Sequence, residues 1–232
     1  MNGASLSIIM PVLDESAGID AALTALAPYR ECGAELIVVD GGSRDDTHLR
    51  ARPLADCVLT AERGRAAQMN AGRAVARGEV LLFLHADTRL PDRADTLITA
   101  GLTRSGRAWG RFDVRFDRGG VLSLIAFMMN IRSRLTGIAT GDQAMFVTRT
   151  AFDAAGGFPS IALMEDVALS ARLKRISRPL CIRARVTTSG RRWRQHGAFR
   201  TIFLMWWLRL AYFFGADPAQ LARHYAHAPV QQ

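Results

Sequence analysis

The sequence predicts an α/β protein with a mostly parallel sheet and helices on both faces. Two observations carry this prediction. Four short apolar runs in the N-terminal part alternate with segments of helical periodicity. The runs are followed by turn or acidic residues, as in Asp40-Gly41-Gly42-Ser43. Runs of this length bounded by turn residues are typical of buried parallel strands.

The N-terminal elements follow the order β-α-β-α-β-α-β. Strands are predicted at 6–12, 35–40, 56–60 and 79–84, and helices at 17–27, 46–54 and 65–76. Gly78 follows the last of these helices and ends it.

The second half has a mixed pattern. Phe112, Val114 and Phe116 alternate with other residues, which predicts a half-buried strand over 109–116. Helices at 121–135 and 164–175 and a strand at 144–147 complete this half. The apolar segment 198–215 contains Arg200 and Arg209 and is too short and too charged for a confident membrane span. A buried core helix is favoured, and an interfacial helix on anionic lipid is the alternative.

Length and composition fit one domain over residues 1–232. No low-complexity tract, repeat or linker interrupts the 232 residues, and 49% of them are hydrophobic. The N-terminus has no basic segment and only a short apolar run, so no signal peptide is expected. Three widely spaced cysteines fit a reducing compartment. We therefore expect a cytoplasmic protein, with peripheral contact at the inner face of the membrane as the alternative.

The charge is unevenly distributed. The formal net charge is +9, and eleven Arg or Lys residues but no Asp or Glu occupy positions 172–209. Nucleic acid, an anionic membrane surface, phosphorylated substrates or a simply solvated basic face each fit this segment. No nucleic-acid-binding signature accompanies it, so no nucleic-acid partner is expected.

The turn after the second strand indicates a ligand site. Asp40 ends that strand, where ligands bind in open α/β sheets, and Gly41 and Gly42 allow the backbone to turn closely around a ligand. Ser43 and Asp45 are suited to cap the next helix, whose N-terminal N–H groups suit phosphate. Ordinary strand-turn-helix capping is the competing interpretation.

Six motifs in a fixed order resemble glycosyltransferase family 2, which uses nucleotide sugars. They lie between Leu6 and Arg175: Pro11-Val12-Leu13-Asp14-Glu15, Asp40-Gly41-Gly42-Ser43 with Asp45, Asp46 and Thr47, Arg63 to Gly72, His85-Ala86-Asp87-Thr88, Gly141-Asp142-Gln143-Ala144, and Gly156-Gly157-Phe158-Pro159 leading to Glu165-Asp166. The Leu-His-Ala-Asp-Thr and Gly-Asp-Gln-Ala-Met-Phe sequences are similar to a compact bacterial subgroup associated with arsenosugar biosynthesis.

The resemblance implies a GT-A-type fold. Residues 1–90 would form a Rossmann-like nucleotide-binding half, 91–190 a mixed acceptor-binding half, and 191–232 a C-terminal helical segment. It implies transfer of a sugar from a nucleotide-sugar donor, a UDP-sugar, to an unidentified acceptor hydroxyl with inversion. The acceptor would be a small molecule or a lipid-linked molecule.

The resemblance also implies a set of donor-binding residues. Asp40 would accept the N3–H of uracil, Glu15 or Asp14 would bond base or ribose, and arginine side chains would bind the diphosphate. Asp14 and Glu15 are alternatively simple caps of the following helix. Arg192, beside Trp193, would close the pocket, or would belong to an exposed basic loop. The expected donor residues are Pro11, Leu13, Glu15, Asp40, Gly41, Arg63, Arg65, Ala86, Asp87 and Arg192.

Asp87 and His85 are the expected metal ligands. Mn²⁺ or Mg²⁺ prefers carboxylate and phosphate oxygens, so Asp87 is the stronger candidate. His85 lies where the family usually has its first acid. This favours Mn²⁺ over Mg²⁺, because Mn²⁺ accepts an imidazole ligand more readily. His85 alternatively orients a water, contacts the phosphate or is an ordinary strand-end histidine.

Asp166 is the expected general base. It lies in the first turn of the predicted helix 164–175, where the helix dipole favours an ionised carboxylate. Glu165 and Asp142 complete the expected catalytic set, with Asp142 shaping the acceptor pocket or capping a turn. Plain helix-terminal acids are the competing interpretation of Glu165 and Asp166.

Two other functions compete with sugar transfer. Sugar-phosphate nucleotidyltransferases share this kind of sheet but usually carry a glycine-rich loop with Arg and Lys after the first strand, and residues 11–18 lack both. A basic module that binds nucleic acid or membrane without catalysis would use the 172–209 segment.

Overall fold

The computed structural model describes residues 5–191 and 198–226 and is built around one eight-stranded sheet. The strand order is β3-β2-β1-β4-β7-β6-β8-β5. The strands are β1 Leu6–Val12, β2 Glu35–Asp40, β3 Cys57–Thr60, β4 Val80–Phe83, β5 Thr88–Arg89, β6 Trp109–Phe116, β7 Phe146–Thr148 and β8 Leu180–Thr188. The helices are α1 Ile19–Thr24, α2 Ala27–Glu31, α3 Thr47–Ala51, α4 Arg65–Val75, α5 Ala94–Ser105, α6 Val121–Thr136, α7 Arg149–Ala154, α8 Glu165–Leu173, α9 Ala198–Phe213 and α10 Pro218–Ala226.

The N-terminal strands form the predicted parallel sheet. β1 lies between β2 and β4 and is parallel to both, and β3 extends the sheet beyond β2. Val12 pairs with Asp40, so β1 and β2 end at the same edge. Their apolar side chains are almost completely buried because helices cover both faces, as the continuous runs indicate. The mostly parallel α/β fold is confirmed.

Prolines shorten two of the predicted helices. The helix expected over 17–27 ends earlier, since α1 covers only Ile19–Thr24, and a second helix, α2, begins at Ala27 with Pro28 in its first turn. The helix expected over 46–54 ends at Ala51, two residues before Pro53. The capping expected from Asp45 is present, since its Oδ1 accepts the backbone N–H of Thr47, the first residue of α3, at 3.0 Å. Ser43 does not cap this helix and bonds to Asp40 instead.

The prediction of a half-buried strand over 109–116 is wrong. Apart from Arg115, every residue of β6 is buried, because β7 and β8 flank the strand and α6 packs on it. The polar residues Arg111 and Asp113 are buried by pairing with each other, and Asp113 also pairs with Arg134 of α6. Burial of charged residues is compatible with stability when they are paired in this way.

Five elements were not predicted from the sequence: β5, α5, α7, β8 and α10. β8 carries Arg183 and Arg185 within the strand and pairs in parallel with β6, with an irregular register between Phe112 and Asp113. This polar content hides the strand from a search for apolar runs.

The C-terminal helix α9 is not the buried core helix that its composition predicts. Leu208 is fully buried against a small cluster with Leu221 of α10. The opposite side exposes large apolar side chains, among them Phe203, Trp206, Leu210 and Phe213. Within the described ranges, no helix is both long enough and apolar enough to span a membrane.

Gly110 gives a test of the β6–β8 contact. A Cβ at this position would lie 2.2 Å from the carbonyl oxygen of Leu180 and 2.6 Å from Phe146. We expect Gly110→Ala to lower the free energy of unfolding by about 1–3 kcal/mol, because backbone atoms cannot move aside easily. Gly18→Ala is the control, since no atom lies within 4 Å of its Cβ position. Equal denaturant midpoints for the two variants would contradict the register.

Candidate functional site

A cavity of about 1020 Å³ opens where β1 and β4 end. Its walls come from the segments after these two strands, the start of α4, and side chains of α6 and α9. The ends of parallel strands at a sheet edge are the usual position of a ligand in an open α/β sheet. The cavity therefore lies at the edge of the sheet where such sites usually occur.

The two acids after β1 have different surroundings. Asp14 has a left-handed φ of 52° and its carboxylate accepts the backbone N–H of Arg44 at 2.7 Å. Glu15 donates its backbone N–H to Thr47 and its side chain lines the cavity. Burial raises the pKa of Glu15, the positive charge of Arg191 opposes that shift, and the nearby Asp87 adds to it. Asp14 thus holds the loop together, while Glu15 faces the ligand space.

Asp40 and Gly41 lie beside the cavity but are not among its described lining residues. Asp40 is 3% exposed, and its carboxylate accepts hydrogen bonds from the backbone N–H and the hydroxyl of Ser43. A Cβ on Gly41 would lie 3.1 Å from Gln68. The Gln68 amide donates to the carbonyl oxygens of Val12 and Val39 at 2.8 Å each, which ties the ends of β1 and β2. Gln68 lines the cavity and was missed as a site residue.

Arg63 and Arg65 line the cavity together with Gly64 between them. Gly64 has a φ of 141°, a conformation that side-chain-bearing residues rarely adopt. Arg65 is the first residue of α4, and its Nε lies 3.6 Å from Glu165 Oε1. Both arginines therefore lie at the cavity.

His85, Ala86 and Asp87 follow β4 and all line the cavity, as do Pro11 and Leu13 after β1. The side chain of Asp87 is exposed and accepts only the Thr88 hydroxyl at 3.2 Å among the hydrogen bonds described. No three acidic, histidine or cysteine side chains of the described segments gather into a metal cluster. A cation held through Asp87 must therefore take most of its ligands from phosphate oxygens and water, which suits Mg²⁺ and Mn²⁺.

His85 packs against the Gly141-Asp142 turn. Its Nδ1 lies 3.7 Å from Asp142 Oδ1, and a Cβ on Gly141 would lie 2.5 Å from its ring. Dehydration raises the pKa of Asp142, but the attraction of His85, Arg65 and Arg209 outweighs it and holds that pKa below its ordinary value. Asp142 therefore stays ionised in the cavity wall.

Asp166 lies next to this wall without lining the cavity itself. It occupies the first turn of α8, and its Oδ2 accepts the backbone N–H of Gly141 at 2.8 Å. Its negative charge acts on Arg132, a lining residue. The neighbouring Glu165 is buried, and both dehydration and the charge of Asp166 raise the pKa of Glu165. Of the three acids, only Asp142 lies on the cavity surface, and Asp166 adjoins it through the hydrogen bond to Gly141.

Two lining arginines were missed as site residues. Arg132 belongs to α6 and Arg209 to α9, and both are half-buried at the cavity. Dehydration and the nearby charge of Arg209 lower the pKa of Arg132 to about 10. Each lies in a largely apolar helical segment that contains one other arginine, Arg134 in α6 and Arg200 in α9, and an arginine in such a segment is the signal that could have identified them. Arg192 and Trp193 lie outside the described residues, whereas the adjoining Arg191 is described and exposed.

A family model matches much of the chain. The model described as "Glycosyl transferase family 2" matches residues 7–156, a segment that contains β2 to β7, all of β1 except Leu6, and the Asp87 and Asp142 motifs.

Relatives of known name match in sequence or in fold. A PGL/p-HBAD biosynthesis glycosyltransferase of Mycobacterium bovis is 38% identical over 105 residues, which are 42% of this chain and 40% of that protein. The mannosyltransferase PcManGT from Pyrobaculum calidifontis, solved with GDP-Man and Mn²⁺, has a TM-score of 0.67 at 20% identity and covers 98% of this chain and 70% of that one. Glucosyl-3-phosphoglycerate synthase from Mycobacterium tuberculosis, solved with Mn²⁺, UDP and glucosyl-3-phosphoglycerate, has a TM-score of 0.56 at 18% identity and covers 80% of this chain and 71% of that one.

The low coverage and identity of these matches limit the conclusions that they support. The chain spans 40% of the length of the M. bovis relative, so that protein's whole activity does not transfer directly. The two solved structures, at 20% and 18% identity, show that the fold is shared. The function must therefore be argued from the cavity itself.

Proposed function

Because the chain belongs to glycosyl transferase family 2, we propose that it transfers a sugar from a UDP-sugar to an acceptor hydroxyl. The observation that carries the proposal is one cavity with two chemically different sides. Glu15, Arg63 and Asp87 line it with groups suited to a nucleotide diphosphate, and Asp142 lines it near the carboxylate of Asp166. A donor and an acceptor can meet in such a cavity.

The donor side fits a nucleoside diphosphate. Arg63 and Arg65 present guanidinium groups, whose paired N–H groups match phosphate oxygens. Glu15 would accept a hydrogen bond from a ribose hydroxyl, because a partly buried carboxylate is stabilised by a hydrogen-bond donor. Asp40 would contact uracil after a local rearrangement that releases Ser43. Residues 1–90 would thus hold the donor, with Pro11, Leu13, Gly41 and Ala86 shaping the space around it.

Asp87 would hold a divalent cation, Mn²⁺ or Mg²⁺, with His85 close to it. A single exposed carboxylate is an adequate protein ligand when the diphosphate supplies further oxygens. The bound cation would neutralise charge on the departing diphosphate. The relatives solved with Mn²⁺ and a nucleotide or nucleotide sugar support this assignment.

Asp166 would act as general base for the acceptor hydroxyl. The Gly141 N–H fixes the orientation of its carboxylate, which lies in the first turn of α8, at the positive end of the helix dipole. Direct attack by a deprotonated hydroxyl on the face opposite the leaving group inverts the anomeric centre. Asp142 would position the acceptor, and Glu165 would hold Arg65 at the boundary between the donor and acceptor sides.

The three cysteines are free, which supports the expectation of a reducing, cytoplasmic environment.

A nucleotide panel tests the donor assignment. We expect UDP to raise the melting temperature more than GDP, CDP or ADP at equal concentration with Mn²⁺ present. Asp40→Ala should weaken UDP binding by roughly 10-fold, the scale of one hydrogen bond to a charged group. Isothermal titration measures the affinity, and melting of the ligand-free variant checks that it is folded.

Asp92→Ala provides the matched control, because Asp92 is exposed and lies outside the cavity lining. It should bind UDP like the unaltered protein. Equal stabilisation by all four diphosphates, or a larger effect of GDP, would overturn the uracil assignment.

A further inference from the structure

Arg132 and Arg209 carry hydrogen-bond donors that find no acceptor among the residues the structure describes. Nε and Nη2 of Arg132 and Nε of Arg209 are buried, and none of these atoms has an acceptor within the described part of the chain. Most buried polar atoms are paired in native proteins, so three such donors at one cavity need an explanation. The two side chains come from different helices, which makes a shared ligand a better explanation than a local packing defect.

The charge of the pair indicates an anion. Two guanidinium groups that face one cavity repel each other, and burial without a partner is costly for each of them. Asp142 and Asp166 lie nearby, but Asp142 is within reach of His85 and Asp166 is bonded to Gly141. A dianionic group with several acceptor oxygens would satisfy the free N–H groups and remove the repulsion. A phosphate monoester has this chemistry.

The wall around the two arginines is apolar and opens to the surface. Met128, Ile131 and Leu135 of α6 and Trp206 of α9 all line the cavity. The same four side chains are 41%, 41%, 82% and 61% exposed, respectively. Exposed apolar side chains that continue the wall of a cavity usually contact an apolar part of a ligand. An apolar group attached to a ligand held by the arginines would lie along these residues toward the surface.

We propose that the acceptor carries a phosphate monoester, bound between Arg132 and Arg209, and an apolar group that lies against Met128, Ile131, Leu135 and Trp206. The inference rests on the proposed function, since it names the acceptor class for the same cavity. The phosphate anchors the acceptor, and the hydroxyl that receives the sugar belongs to the same molecule. This part of the cavity is thus assigned to a lipid-like phosphate ester rather than to a soluble sugar phosphate.

Titration calorimetry with three small probes tests the inference. Octyl phosphate below its micelle concentration combines both features, glycerol 3-phosphate has the phosphate alone, and octan-1-ol has the chain alone. Each probe is titrated into the full chain saturated with UDP and Mg²⁺. We expect octyl phosphate to bind at least about 10-fold more tightly than either of the other probes, because it alone uses both the arginines and the apolar wall.

Variants locate the binding. Arg132→Gln should weaken octyl phosphate by roughly 10- to 100-fold and leave the UDP affinity unchanged. Arg118→Gln is the matched control, because it removes the same charge from an exposed residue just before α6 that does not line the cavity. Leu135→Ser should weaken octyl phosphate but leave glycerol 3-phosphate unaffected, since it removes only part of the apolar wall.

The outcomes separate this inference from the proposed function. Absence of UDP binding by the unaltered protein would count against the proposed function. Normal UDP binding with equal affinities for octyl phosphate and glycerol 3-phosphate would overturn the lipid-like acceptor. Displacement of octyl phosphate by UDP, or weaker UDP binding by Arg132→Gln, would assign the arginines to the donor diphosphate and also overturn the inference.

Discussion

Replacement of Asp166 by asparagine is expected to reduce sugar transfer by roughly 10²-fold or more, the scale usual for loss of a general base. The amide keeps the size of the side chain and can still accept the Gly141 N–H, but it cannot take a proton. UDP affinity should stay close to that of the unaltered protein, because Asp166 is assigned to the acceptor side. Initial rates of UDP release measure the transfer, and titration calorimetry measures the affinity.

Asp142→Asn is the companion variant, since Asp142 lines the cavity while Asp166 lies behind it. We expect a smaller loss, mainly in the concentration of acceptor needed for half-maximal rate. A larger loss for Asp142→Asn than for Asp166→Asn would move the base to Asp142. A plain helix-terminal role for Asp166 predicts instead near-normal rates and a stability loss of about 0.3–1 kcal/mol.

Asp87→Ala is expected to abolish the gain in UDP affinity that Mn²⁺ provides. Asp87 is the exposed carboxylate that follows β4. Loss of this proposed ligand should weaken metal binding by at least about 10-fold. Calorimetric titration of UDP with and without Mn²⁺ gives the metal-dependent part directly. Binding without metal should change little, because the arginine contacts remain.

His85→Asp is the informative partner of this variant. We expect it to keep metal binding and to accept Mg²⁺ more readily, because a carboxylate replaces an imidazole beside Asp87. It also removes the 3.7 Å contact with Asp142, so transfer should be measured as well as binding. If Asp87→Ala retained the full Mn²⁺ effect on UDP, Asp87 would not be a ligand.

The strands β1, β2 and β4 were predictable because their cause is local. Leu36, Ile37 and Val38 are apolar neighbours in a run that turns at Asp40-Gly41, and β2 covers that run. The same holds for β1 and β4, and therefore for the segments after them that line the cavity. The position of Asp166 in the first turn of α8 also followed from the sequence.

The remaining features depend on tertiary contacts. The sequence left open which of Asp14 and Glu15 faces the cavity, because a left-handed φ at Asp14 settles their directions. The burial of Arg111 follows from its pairing with Asp113, which periodicity does not show. The composition of α9 predicted burial, yet Trp206 and Phe213 are exposed because only one side of the helix has a partner in the described structure.

Proton NMR of UDP-sugars incubated with the protein and a divalent cation tests sugar transfer even without the natural acceptor, because water can replace it. We expect metal-dependent cleavage of at least one UDP-sugar into UDP and free sugar, with the inverted anomer formed first. Asp166→Asn should remove this cleavage. Formation of UMP and sugar 1-phosphate, which would indicate attack at the diphosphate rather than at the sugar, would contradict the account, as would first formation of the retained anomer.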